Sequence, residues 1–192
     1  MGKCAKIIRT VTVAPIMAGV MLVILFCSKP QVLGNTANFV CGILFLTILP
    51  ILAYPLQKWI PRYRDRGREG QRSLAMLFAV CGYILGGIVN LFMNAPVSMW
   101  IIYLEYLISG LVIFLFNKCF HLMASGHACG VAGPAALLVY FGIPALIGGL
   151  VLLAVTWWAS LQMKRHTVWQ LAGGTAIPLV VICLLGGIAC LL

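Results

Sequence analysis

Apolar residues fill this chain in long runs, and polar residues are confined to short stretches between them. The runs cover about 11–27, 39–56, 74–93, 98–117, 128–142, 144–163 and 168–191. A helix needs roughly 17–25 apolar residues to cross a hydrocarbon layer, and most of these runs have that length. Apolar and polar positions do not alternate within them, which argues against a membrane β-barrel. The pattern predicts an all-α polytopic transmembrane helix bundle of seven segments in a single domain, 1–192. The fifth segment is short. "YFGIP" (Tyr140–Pro144) predicts a tight turn after it, because proline suits a helix interior poorly and glycine relaxes the backbone. "MGKCAKIIRT" leads into Val11–Cys27 like the basic start of a signal peptide. No small-x-small cleavage motif follows, so this run is expected to stay as a first helix.

Composition supports the same class. Hydrophobic residues make up 63% of the chain and charged ones 8%, too little polar surface for a soluble domain. Eight cysteines are present without a CxxC pair, and most lie within apolar runs, where free cysteine acts as a small hydrophobe. Charge then orients the bundle. With seven crossings, the N-terminus and the loops 57–73, 118–127 and 164–167 share one side. Every lysine and arginine except Lys29 falls there, including Lys3, Lys6, Arg9, the run from Arg62 to Arg72, Lys118, Lys164 and Arg165. The positive-inside rule assigns that side to the cytoplasm of a cell membrane. A basic face meeting anionic membrane lipids accounts for the net charge of +10, with no nucleic acid partner required.

Three histidines lie on the basic side. His127 closes "ASGH" at the entrance of the fifth segment, and His166 stands in "KRHTVWQLAGG" at the entrance of the seventh. The chain crosses the layer twice between them, so the two can meet at one depth. Glu105 sits mid-segment in "WIIYLEYLISG". A carboxylate at that depth is costly, so it is expected to face the interior, paired with an arginine or lining a polar cavity.

Ser125, Gly126 and His127, followed two segments later by Arg165, His166, Thr167 and Gln170, resemble the type 2 phosphatidic acid phosphatase family, which is related to vanadium haloperoxidases. The similarity runs over roughly 39–191, with 11–38 as an extra N-terminal helix and loop. That family's pattern has a Lys before an Arg-Pro, then Ser-Gly-His, then Ser-Arg, five residues, His, three residues and Asp. This chain departs from it at Ser160, where the family has Arg, and at Gln170, where it has Asp. No Lys-x6-Arg-Pro occurs, and Lys118 stands as a remnant of the first part.

The resemblance implies a six-helix core that hydrolyses a lipid phosphomonoester or pyrophosphate, such as phosphatidic acid, phosphatidylglycerol phosphate or a polyprenyl pyrophosphate. It implies His166 as the nucleophile that forms a phosphohistidine and His127 as the acid for the leaving oxygen. Gln170 stands where the orienting Asp would be. The chemistry of a phosphate cradle adds Lys118, Ser125, Gly126, Arg64, Arg68, Arg72 and Arg165 as phosphate binders. Guanidinium groups and N–H donors at a helix N-terminus match phosphate oxygens, and glycine lets the backbone approach closely. With arginine and lysine holding the phosphate, neither metal nor other cofactor is required. The alternative is a non-catalytic lipid-binding or transport protein on the same scaffold.

Simpler readings stand beside these. His127 suits a helix cap, His166 a headgroup contact and the arginine run a topology signal. His121 suits loop surface. The spacing of Cys119, His121, His127 and Cys129 admits a zinc site, though in an unusual pattern.

Overall fold

The computed structural model describes residues 2–119 and 123–191. Its principal helices are α1 (Gly2–Val11), α2 (Ala14–Ser28), α3 (Thr36–Trp59), α4 (Gly67–Phe92), α5 (Val97–Lys118), α6 (Gly126–Tyr140), α7 (Leu146–Gln162) and α8 (Val168–Ala189). No strand occurs among the described residues, so the fold is all-α. In lipid every backbone N–H and C=O needs an internal partner, and a helix supplies one within its own segment.

All seven apolar runs are helical, but they are not equally long. α3, α4, α5 and α8 have the length and hydropathy of membrane spans. α2 reaches that length only when joined to α1 across a 56° bend. α6 and α7, at 15 and 17 residues, are shorter. The expected count of seven full crossings therefore becomes four, or five with the bent pair, plus two shorter apolar helices.

The first expected segment, 11–27, is in fact two pieces. Val13 is extended and Pro15 opens α2, where its missing N–H costs nothing. The residues before the break carry Lys3, Lys6 and Arg9 among apolar ones, and they form the separate amphipathic helix α1 against α7. Within α3, a wider turn spans Ile43–Ile48 just ahead of Pro50, whose ring nitrogen cannot donate to the preceding turn.

α6 is the central helix and packs on α2, α5, α7 and α8. Small residues let it sit there. A side chain at Gly130 would collide with Ala14 of α2, so the two backbones approach closely. From α2 onward the helices alternate in direction. At one end Arg9, Lys118, His127 and Arg165 gather around a common opening. At the other, Lys29 Nζ donates to Phe141 O at 2.8 Å and Pro96 packs against Gly34. Alternation thus follows the sequence expectation, and it brings the basic loops to one face.

Candidate functional site

Ser125 and His127 begin α6, but they do different work. Ser125 is the N-cap: its hydroxyl accepts from Ala128 N at 3.3 Å, and its own N–H donates to Gln170 O at 2.9 Å. It is fully buried, with Gly174 of α8 directly against its backbone. Its hydroxyl faces the helix and not the cavity, so the expected phosphate contact from Ser125 is not made by this arrangement. His127 lies two residues on, ahead of the apolar stretch 128–142 and outside it. Its Nε2 is 2.9 Å from Thr12 Oγ1, in the hinge between α1 and α2. Thr12 Oγ1 gives its single proton to Ile8 O at 2.8 Å. It therefore accepts from His127 Nε2–H. Burial first, then the charges of Arg9 and His166, disfavour a second proton on this ring.

The entrance of α8 orients His166. Thr167 is the N-cap and forms a reciprocal capping box with Gln170: Gln170 N donates to Thr167 Oγ1 at 3.4 Å, and Thr167 N donates to Gln170 Oε1 at 3.2 Å. The same Oε1 lies 3.2 Å from His166 Nδ1. A backbone N–H only donates, so the Gln170 atom is its oxygen, and His166 Nδ1 must carry the proton it shares. Nε2 then keeps its lone pair. His166 precedes the helix, so this contact comes from the capping geometry and not from two residues on one helix face. Burial lowers the His166 pKa below its ordinary 6.5; the Gln170 bond opposes this, and Arg9, Arg72 and Arg165 add to the lowering. The ring is thus neutral at pH 7.

Both histidines open onto a cavity of about 780 Å³, lined also by Arg9, Arg72, Lys118, Gly126 and Arg165. Glu69 also lines this cavity and is ion-paired with Arg66, and among the described residues no carboxylate forms an ion pair with Arg9, Arg72, Lys118 or Arg165. Like charges held together in this way favour an anion between them. Arg64 and Arg68 do not line the cavity: Arg64 is 3.4 Å from Asp65 on the surface, and Arg68 is exposed on the first turn of α4. His121 lies outside the described residues. No group of three His, Cys, Asp or Glu side chains converges on a metal site among the described residues.

Arg9 is the residue that sequence reasoning missed. Its Nη1 donates to Ser160 Oγ at 2.6 Å, across 151 positions of sequence. Ser160 is buried and passes its own proton to Thr156 O at 2.8 Å. The guanidinium thus stands beside position 160, where the resembling family carries its arginine. Nothing local in "KIIRTV" points to this partner. Glu105 is also at the cavity, buried and bonded to Ser109 at 3.0 Å, and among the described residues no arginine is paired to it. No family model, no curated protein and no solved structure matches the chain.

Proposed function

We propose that this protein is a membrane lipid phosphatase acting on a phosphomonoester or pyrophosphate of a lipid. The observation that supports it is the convergence of His127 and oriented His166 with three arginines and a lysine, none of them ion-paired with a carboxylate among the described residues, around one cavity mouth. Arg9, Arg72, Arg165 and Lys118 would hold the phosphate oxygens by charge-assisted hydrogen bonds. His166 Nε2 attacks phosphorus, forming an N–P bond as the P–O bond to the lipid breaks. A bound phosphate dianion supplies the negative charge that lets His127 carry a second proton, and this proton goes to the leaving oxygen. Water then attacks phosphorus, gives a proton back to His127 and releases inorganic phosphate with His166 restored. Gln170 keeps Nδ1–H in place throughout, so Nε2 stays the attacking atom. The basic face lies in the cytoplasm in this reading, and Lys3 and Lys6 of α1 meet anionic lipid there.

The test is phosphate release from phosphatidic acid, phosphatidylglycerol phosphate and polyprenyl pyrophosphate by purified protein in mixed micelles. Acid-labile labelling of the protein by ³²P-lipid is expected, and His166→Ala and His127→Ala should each abolish release while the protein stays folded. Full activity in His166→Ala would overturn the phosphohistidine route. One observation favours the alternative of a non-catalytic lipid binder: Gln170 is a neutral amide and supports a developing imidazolium less than a carboxylate would. Lipid phosphate binding without any release would favour that alternative.

A further inference from the structure

Below the histidines the cavity ends on polar groups that the phosphate chemistry does not use. Glu105 of α5 is 1% exposed. Its Oε1 accepts from Ser109 Oγ at 3.0 Å, whereas Oε2 has no hydrogen-bond partner among the described residues. The hydroxyl of the next residue, Tyr106, is buried and also has no hydrogen-bond partner among them. Both side chains line the cavity that opens at His127. Their depth follows from α6. Gly133 lies against the Glu105 carboxyl, where a side-chain carbon would come within 2.8 Å of Oε1. Gly133 is six residues after His127 on one helix, so the carboxyl is about 9 Å deeper at 1.5 Å per residue. Unpaired polar atoms at this depth are costly, and a ligand that pairs with them recovers that free energy.

We infer that Glu105 and Tyr106 form a second, polar subsite that takes the glycerol-ester level of a lipid whose phosphate occupies the mouth. This rests on the phosphate-binding reading of the mouth. In a glycerol-based lipid phosphate, ester and hydroxyl oxygens follow phosphorus by a few bonds. The Tyr106 hydroxyl donates to an ester carbonyl, and Glu105 Oε2 accepts from a glycerol hydroxyl where the lipid has one. A polyprenyl phosphate carries only hydrocarbon at this level and leaves both groups unpaired. A site built to hydrogen-bond a ligand rejects an analogue that lacks the bonding group. The subsite therefore selects glycerolipid phosphates over polyprenyl phosphates.

The experiment is equilibrium binding of two non-hydrolysable phosphonates, one of a mono-oleoyl glycerolipid that keeps a free glycerol hydroxyl and one of a polyprenol of similar length, to the full chain in nanodiscs. Wild type is expected to bind the glycerolipid analogue at least about 10-fold more tightly, as one or two buried hydrogen bonds allow. Tyr106→Phe removes only the hydroxyl and should cut that preference several-fold, with polyprenyl binding unchanged. Glu105→Leu should do the same, and Glu105→Gln, which still hydrogen-bonds, should keep the preference. Equal affinities in wild type, as expected if water alone fills this level, would overturn the inference. So would an unchanged preference in Tyr106→Phe. Binding of neither analogue overturns it together with the phosphate reading of the mouth. Because no turnover is needed, selective binding without phosphate release would leave the subsite standing and sink the phosphatase.

Discussion

Removing Arg9 is the perturbation that most directly tests the site, because it sits outside both histidine motifs. Its guanidinium is anchored on Ser160 at 2.6 Å and faces the cavity mouth. A hydrogen bond to a charged group contributes about 1.5–3 kcal/mol. At about 1.4 kcal/mol per factor of ten, Arg9→Ala should lower kcat/KM for phosphatidic acid by roughly 10–150-fold. Truncation at residue 9 also leaves space beside position 160. An arginine grown from 160 can fill it, so Arg9→Ala/Ser160→Arg should recover most of the loss. Ser160→Arg alone puts a second guanidinium next to the first and should lower both rate and melting temperature. Ser160→Ala should lose only the anchor, roughly 3–10-fold, and should have little further effect in Arg9→Ala. The assay is initial-rate phosphate release in mixed micelles at several lipid mole fractions, with thermal melts of each variant. Wild-type rates in Arg9→Ala would remove this residue from the site. A folded double variant no faster than Arg9→Ala would show that position 160 is not a second route to the same guanidinium position.

Three further outcomes follow. The lowered pKa of His166 keeps Nε2 unprotonated as pH falls through 6.5, so the acid limb of kcat/KM should lie below that value. Arg9→Ala removes one lowering charge and should move this limb upward, and a downward shift would contradict the assigned field. The native state binds fewer protons here than the unfolded chain, so the His166 contribution to stability is present above about pH 6.5 and falls below it. Gln170→Ala removes the acceptor of both Thr167 N and His166 Nδ1. Stability should drop by about 1 kcal/mol and the single-turnover rate by about 10–100-fold. Gln170→Glu keeps both bonds and adds charge, so it should match or exceed wild type. It should also exceed Gln170→Asp, which is a methylene too short for the box, and a wild-type rate for Gln170→Ala would free His166 from this orienting role. For sidedness, Asp65→Cys in a background lacking all eight native cysteines should resist an impermeant thiol reagent in intact cells and react after lysis. Labelling in intact cells would reverse the orientation.

Much of the architecture was legible from residue order, because the constraint behind it is local. Long apolar runs must satisfy their backbone internally, so the run from Val97 to Lys118 is helical in any packing. Alternating direction followed from the same runs, and it was enough to bring His127 and His166 to one opening. The His166–Gln170 contact was legible too, since only four positions separate them, although a capping box makes it. The break between α1 and α2 was signalled by Pro15 but hidden by the apolar residues on both sides of it.

Other features were decided only by tertiary packing. "SGH" reads equally as a helix cap and as an anion cradle; the contact of α8 with the Ser125 backbone buries its hydroxyl and leaves Gly126 and His127 on the cavity. Among the arginines of 62–72, the turn of helix beginning at Gly67 decides that Arg72 reaches the mouth while Arg64 and Arg68 stay at the surface. Arg9 and Ser160 are 151 residues apart, and no local pattern couples them. Whether a side chain binds a ligand or another side chain depends on which helix lies opposite. Hydrophobic pattern specifies that a helix forms and which residues avoid water; the neighbour it meets is set by the close packing of all the helices together.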